Sequence, residues 1–169
     1  MAGLSPAIAN EFIRLADAEG RTLTQMQLQK LVYIAHGWNL AINGAPLTVD
    51  EPQAWDYGPV YPELWKALRS YGREPVERLI KYRDYMPFAS SDKVAEAELE
   101  DHERALIERV YSDYGKFPAF KLSALTHRDG TPWTQVYDDG AGKFDEIPAD
   151  KIREHFVDLA RTRRAAAHA

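Results

Sequence analysis

The sequence predicts a mainly α fold, a single compact helical domain over residues 1–169 with about five to six helices and a small two-stranded β element. Apolar residues recur at the spacing of amphipathic helices, and glycines and prolines separate these segments. The segment 28–47 opens with apolar residues around almost its whole circumference, as expected of a helix at the centre of a core. Extended character is confined to two short stretches, residues 46–57 and 143–147. We expect those two stretches to pair.

The first two helices have clear start and stop signals. Ser5-Pro6 supplies an N-cap and a first-turn proline, and the helix that follows ends near Gly20. The second helix begins at Thr24, where Thr-x-x-Gln forms a capping box, and ends at Asn43-Gly44, a typical left-handed stop. Its main buried stripe is Leu28, Leu31, Ala35, Trp38 and Ile42. We interpret Trp38 as a core residue and His36 as incidental.

The third helix is predicted from Gly58-Pro59 to Tyr71-Gly72. Tyr61 and Trp65 lie about 100° or more around this helix from its buried face. We therefore expect both rings to be half exposed at the margin of the core.

The next predicted helix, the fourth, runs from Lys93 or Ala95 to Tyr114. Before it, residues 73–93 have weak periodicity and several charges, which predicts a loop with one helical turn at Val76–Ile80.

The C-terminal third of the chain predicts two more helices and a short turn between them. A fifth helix starts at Phe117-Pro118, and a helical turn is expected at Trp133–Tyr137. The last helix is predicted over Ala149–Arg164, and residues 165–169 are expected to form a frayed tail.

Composition excludes several classes of function. A chain of 169 residues without cysteine has no disulfide, thiolate metal site or cysteine nucleophile. It has no apolar run near the about 20 residues of a membrane span, and its first residues contain no basic leader, so we expect a cytoplasmic protein without a membrane partner. The net charge of −5 makes nucleic acid an unlikely general partner.

One segment departs from this acidic balance. Residues 66–83 contain six basic and two acidic residues, a local charge of +4. Solvated helix and loop surface accounts for such a run, and a docking patch for an acidic partner is the alternative.

No catalytic or metal-binding pattern stands out. The five histidines, His36, His102, His127, His155 and His168, form no recognised metal motif. The sequence His-Arg-Asp at 127–129 fails as a kinase catalytic loop, because Thr134 stands where the asparagine is needed. We interpret His127 as a helix C-terminal residue and Asp129-Gly130 as a turn. The sequence therefore predicts no enzyme, no cofactor and no metal.

Four landmarks in order resemble the Panacea domain family, the SocA-like antitoxins of bacterial and phage toxin–antitoxin pairs. They extend over most of the chain, and their joint pattern is more specific than any one motif. The landmarks are LQKLVYIAHGWNLAINGAPL at 28–47, EPQAWDYGPVYPELWKAL at 51–68, LSALTHRDGTPW at 122–133 and IPADKIREHF at 147–156.

The resemblance implies a helical, non-enzymatic antitoxin that binds and neutralises a cognate toxin protein. Family members serve unrelated toxins, so the resemblance names no partner. Two mechanisms stay open: direct capping of the toxin, or delivery of the toxin as a proteolytic adaptor to a Clp protease such as ClpXP.

Two surfaces are candidates for binding this partner, because Tyr, Trp and Arg are enriched at interface hot spots. The first, where aromatic residues meet the basic segment, is Tyr57, Tyr61, Trp65 and Arg69. The second is His127, Arg128 and Trp133.

A different class of function stays open as the alternative, a DNA-associated regulator of the protein's own operon. The last helix ends in Arg161-Thr162-Arg163-Arg164, which could contact phosphate. The acidic net charge and the lack of a clear helix-turn-helix motif argue against it.

Overall fold

The computed structural model describes residues 3–89 and 91–168, and this part of the chain is mainly α-helical, which confirms the predicted fold class. It contains seven α-helices and two small antiparallel sheets. The helices are α1 (Ser5–Ala18), α2 (Gln25–Asn43), α3 (Pro62–Leu68), α4 (Asp101–Tyr114), α5 (Ala119–His127), α6 (Pro132–Tyr137) and α7 (Ala149–Ala167). The strands are β1 (Leu23–Thr24), β2 (Gln53–Trp55), β3 (Gly58–Val60) and β4 (Pro75–Val76).

Helix α2 is the centre of the molecule, as its sequence predicts. It contacts α1, α3, α4, α5 and α7, and every residue from 28 to 40 is buried. Its ends are also as predicted, with a Thr24–Gln27 capping box and Gly44 in the left-handed conformation. Ile42 is the exception to the predicted stripe. Its side chain is 66% exposed, because no other element covers the last turn of the helix there.

The third helix starts later than predicted. Residues Gly58–Val60 form β3, which pairs with β2, and α3 begins only at Pro62. A first-turn proline is present in both the predicted and the observed start, so the sequence signal did not distinguish Pro59 from Pro62. Gly58 has φ of +110°, a conformation that ends a β-turn and does not continue a helix.

Residues 73–89 and 91–100 are non-helical apart from a 3₁₀ turn at Tyr82–Asp84, although the sequence predicts a helical turn at Val76–Ile80. Val76 belongs to β4 and pairs with Leu23 of β1. The side chain of Asn10, buried in α1, donates to the carbonyls of Ile80 and Ala95 and accepts from the Ile80 amide. These bonds hold the backbone near Ile80 beside the backbone near Ala95.

Helix α4 consequently begins at Asp101, after a capping box between Glu100 and Glu103. The start predicted at Lys93 or Ala95 is wrong, because the backbone there bonds across to the segment near Ile80.

The second predicted extended stretch does approach the first. The amide of Phe144 donates to the Ala54 carbonyl, and the Ile147 amide donates to the Pro52 carbonyl. Residues 144–147 therefore run beside β2, opposite to β3, and give the hairpin a third bonded segment.

The C-terminal elements agree with prediction, with one extension. Helix α6 replaces the predicted turn, and α7 packs on α2, where Gly37 lies against the Phe156 ring. Helix α7 continues to Ala167, three residues beyond the predicted end at Arg164. Ala169, the last residue of the expected frayed tail, lies outside the described residues, and fraying of the tail stays a prediction. No helix in the described ranges has the length and apolar character to span a bilayer.

Candidate partner-binding surface

The β2–β3 hairpin carries the candidate surface. Its strands pair in the register Gln53–Val60, Ala54–Pro59 and Trp55–Gly58, and Asp56 and Tyr57 form the turn. A Cβ at Gly58 would lie 3.0 Å from Lys30 Nζ, so the hairpin rests closely on α2.

Two consecutive residues of α2 hold the hairpin from beneath. The Gln29 side chain donates to the Tyr61 carbonyl at 3.1 Å and accepts from the Tyr61 amide at 2.8 Å. Lys30 Nζ donates to the Pro59 carbonyl at 2.7 Å. The sequence analysis did not select either residue, although a lysine on an otherwise apolar helix face was a visible signal.

Lys30 is an unusual support because its side chain is fully buried, at 0% exposure. Burial lowers the pKa of its ammonium group from 10.5 to about 7. Within the described ranges we find no carboxylate paired with it. Its hydrogen bond to the Pro59 carbonyl is therefore the polar contact that ties it to the hairpin.

The other side of the hairpin is bonded to α5 and α6. Ser123 Oγ donates to the Tyr57 carbonyl at 2.8 Å, and Trp133 Nε1 donates to the Trp55 carbonyl at 2.7 Å. Asp56 accepts from Lys143 Nζ at 2.8 Å and from the Tyr137 hydroxyl at 2.6 Å. These two bonds lower the pKa of Asp56. The hairpin is thus fixed from both sides.

We call the half-buried ring of Trp55 and the exposed rings of Tyr57, Trp65 and Phe144 the hairpin aromatic surface. The Trp55 ring lies 5.5 Å from Trp65 and 5.4 Å from Phe144, centroid to centroid. Tyr57 is 70% exposed and Trp65 is 37% exposed. Trp55, Trp65 and Phe144 thus form a contiguous set of rings, and the exposed Tyr57 lies in the turn of the same hairpin.

Cations flank these rings. The Arg69 guanidinium lies 5.5 Å from the Trp65 ring, and Lys143 Nζ lies 5.1 Å from the Phe144 ring. Such cation–π contacts orient the charged groups beside the apolar rings.

The first predicted site is therefore largely accessible, with one correction. Tyr57, Trp65 and Arg69 are exposed, but Tyr61 is fully buried and cannot contact a partner. Tyr61 precedes α3, its backbone is held by Gln29, and its hydroxyl accepts from Thr48 Oγ1 at 3.2 Å. Placing it on a helix margin was wrong because the helix starts after it.

Trp55 and Phe144 were missed by the sequence analysis. Both lie in the two stretches predicted to be extended, where alternate side chains face outward. The predicted strand pairing was the signal that could have located them.

The second predicted site lies beneath the same hairpin. The Trp133 ring is mostly buried, stacks on Tyr137 at 4.4 Å and lies 5.4 Å from His127. His127 is the last residue of α5, as predicted, and its Nδ1 lies 3.2 Å from Ser123 Oγ. Arg128 is exposed. Trp133 and His127 thus support the hairpin, and the hairpin joins the two predicted sites.

The basic segment 66–83 is less positive in the folded protein than in the sequence. Four of its six cations form ion pairs: Lys66 with Glu63, Arg78 with Asp84, and both Lys81 and Arg83 with Asp92. Arg69 and Arg73 have no carboxylate partner among the described residues. Arg69 and Arg73 are therefore the two cations of this segment that are left to contact an acidic partner.

His36 is a structural residue and not an incidental one. Its Nδ1 accepts from the amides of Leu47 and Thr48, at 3.2 and 3.3 Å. Burial lowers its pKa to about 4, so the ring is neutral and fastens the chain after α2 to that helix. Trp38 is in the core as predicted, 5.1 Å from the Phe156 ring. In the ranges 3–89 and 91–168, no three metal-binding side chains converge.

Comparison with known proteins identifies the family. The family described as Antitoxin SocA-like, Panacea domain, matches residues 28–134. Antitoxin SocA of Caulobacter vibrioides (strain NA1000 / CB15N) is 33% identical over 131 residues, which are 77% of this chain and 68% of that protein. No solved structure matches significantly. The chain belongs to the SocA-like antitoxin family with a Panacea domain.

Proposed function

We propose that this protein is an antitoxin that neutralises a cognate toxin by binding it at the hairpin aromatic surface. The observation that carries the proposal is the set of uncovered rings at Tyr57, Trp65 and Phe144, with Arg69 held beside them. Clustered exposed aromatic residues mark interaction sites, and Trp, Tyr and Arg dominate binding hot spots. Family membership supports the antitoxin role.

Rigidity of the hairpin favours tight binding. Side chains of Gln29, Lys30, Ser123 and Trp133 bond to its backbone before any partner arrives. A surface that is already ordered loses little conformational entropy on association.

The charges suggest what the toxin presents. Arg69 and Arg73 carry no intramolecular ion pair among the described residues, so they are free to pair with carboxylates. We expect a toxin face with apolar residues at its centre and Asp or Glu at its edge.

Two mechanisms of neutralisation are compatible with this surface, direct capping and delivery to a Clp protease such as ClpXP. Both place the protein in the cytoplasm with its toxin, and neither requires catalysis by this chain. Co-expression with the product of the neighbouring gene, in cells with and without functional Clp protease, separates them. Growth rescue that needs the protease, with a shortened toxin half-life, indicates an adaptor, and rescue without it indicates capping.

The DNA-associated alternative gains no support from α7. Arg161 pairs with Asp158 at 3.7 Å, and the Arg163 guanidinium lies 5.1 Å from the Trp38 ring. Two of the three arginines at this end are thus engaged within the protein, and a gel shift with operon DNA should show no binding.

A further inference from the structure

A small cavity lined by residues of α2, α4, α5 and α7 has an unusual lining. It lies between α2, the end of α5 and α7, and its volume is about 50 Å³. This is room for a few water-sized groups. Its lining extends from the buried Tyr33 to the exposed Arg128 and Arg163, so the cavity connects the core with the surface.

Tyr33 contributes an unpartnered polar group. Its side chain is 2% exposed, and its hydroxyl has no hydrogen-bond partner within residues 3–89 and 91–168. Buried polar groups are nearly always bonded, and an exception calls for a water, ion or ligand. Tyr33 lines a cavity that can hold such a group.

The other polar residues around the cavity are cationic. Arg128 and Arg163 both line it, and neither pairs with a carboxylate of the described residues. Arg163 is fixed in place, because it donates to the Tyr114 hydroxyl at 2.6 Å. His155, in α7, also lines the cavity, and burial and Arg128 together lower its pKa, which Asp158 partly opposes.

No aspartate or glutamate is among the described residues that line the cavity. The cavity lining thus combines two arginines that have no carboxylate partner among the described residues, a histidine, and Tyr33 with its unpartnered hydroxyl. An oxygen-rich anion would neutralise the arginines and accept a hydrogen bond from the Tyr33 hydroxyl.

We infer that this cavity binds one small oxyanion, a phosphate or carboxylate group, between Arg128, Arg163 and the Tyr33 hydroxyl. The ligand is either a free anion or an acidic group of a larger molecule that inserts here. This inference does not rest on the toxin-binding proposal, since it uses none of the four rings of the hairpin aromatic surface.

Titration of the purified full chain with inorganic phosphate, and separately with acetate, tests the inference. We expect saturable shifts of the Tyr33 and His155 ring resonances and a rise of the melting temperature with anion concentration. Arg128→Met should weaken the apparent affinity about tenfold. Arg153→Met, which removes the same charge from an exposed part of α7 outside the cavity lining, should leave the affinity unchanged.

Tyr33→Phe gives the sharpest test, because it removes the hydroxyl and keeps the ring. In anion-free buffer it should be at least as stable as the original protein, and it should bind phosphate several-fold more weakly. Equal stabilisation of Arg128→Met and Arg153→Met by phosphate would overturn the inference, as would a loss of stability for Tyr33→Phe without anion. Binding of phosphate but not acetate identifies a phosphate site, the reverse identifies a carboxylate site, and binding of neither rejects the site.

Discussion

At the scale of single residues, the consequential groups are polar side chains buried in the central helix. Gln29, Lys30 and His36 all lie within the apolar stretch of α2, and each bonds to the backbone of a following segment. Hydropathy patterns located the helix but not these roles, because a side chain's partner across 29 or 32 residues leaves no periodic trace in the sequence. Gln29 and Lys30 of the Leu-Gln-Lys-Leu motif thus hold the hairpin in place.

Lys30 makes the stability of the protein depend on pH. Its pKa is about 7 in the folded chain and 10.5 as the unperturbed value, so between these pH values only the unfolded chain holds the proton. The free energy of unfolding must then rise with pH, by up to about 1.4 kcal/mol per pH unit. Chemical denaturation of Lys30→Met should lack this rise from about pH 7.5 to 9, below the range where tyrosines titrate.

The control for this prediction is Lys116→Met, which removes an exposed lysine. Its pH profile should match that of the original protein. An unchanged slope in Lys30→Met would show that Lys30 is not deprotonated in the folded state.

The hydrogen bonds of Gln29 lead to a prediction about the free energy of unfolding. Gln29→Leu keeps the size of the side chain but leaves the buried amide and carbonyl of Tyr61 without partners. We expect the free energy of unfolding to fall by about 2–5 kcal/mol, from two unsatisfied groups. Urea denaturation measures it, with the exposed Gln135→Leu as a control that changes stability little. A loss no greater than that of the control would contradict the bonding.

At the scale of elements, the helices with local signals were predicted and those set by distant contacts were not. Helix α2 has its predicted capping box and stop, and α1 ends just before Gly20 as predicted. The N-cap predicted at Ser5 is wrong, because Ser5 is the first residue of α1 and its hydroxyl bonds to Asp50. The strands β1 and β4 have two residues each, too few for a period, and Asn10 holds the chain between β4 and α4 from another helix. The predicted start of α3 is wrong for a related reason: Gly58 lies in a hairpin that residues distant in sequence, such as Lys30 and Ser123, hold in place.

The packing of α7 on α2 depends on Gly37. A Cβ at this position would overlap the Phe156 ring, so the two helices approach as closely as they do because residue 37 has none. We expect Gly37→Ala to lower the free energy of unfolding by about 1–3 kcal/mol, despite the better helix propensity of alanine.

A second substitution makes this prediction specific. Phe156→Leu in the Gly37→Ala background should recover part of the lost melting temperature, because the smaller side chain leaves room for the new methyl group. If the changes in melting temperature from the two substitutions simply add, overlap with the Phe156 ring is not the cause of the loss in Gly37→Ala.

At the scale of the whole molecule, α2 connects the core to the hairpin aromatic surface. The family match over residues 28–134 includes Gln29, Lys30, Ser123 and Trp133, which hold the hairpin from both sides. The segment near Phe144 and helix α7 lie beyond it. The mainly helical class and the antitoxin family were predictable from the sequence. The composition of the hairpin aromatic surface was only partly predictable, because the position of Trp55 and the burial of Tyr61 depend on strand pairing.

Substitutions in and beside the hairpin aromatic surface should change binding without changing the stability of the fold. Trp65→Ala with Arg69→Glu removes an exposed ring and reverses an unpaired charge, and neither residue bonds to the hairpin backbone. We expect an unchanged melting temperature within a few degrees. Phe120→Ala with Arg153→Glu, an exposed ring and an exposed arginine outside the hairpin aromatic surface, is the matched control.

The affinity of these two double variants for the product of the neighbouring gene, measured by calorimetry beside the original protein, tests the central claim most directly. The account predicts tight binding by the original protein and the control, and a loss of about 30-fold or more for Trp65→Ala with Arg69→Glu. Equal affinities for all three proteins, or no binding by the original protein, would contradict it.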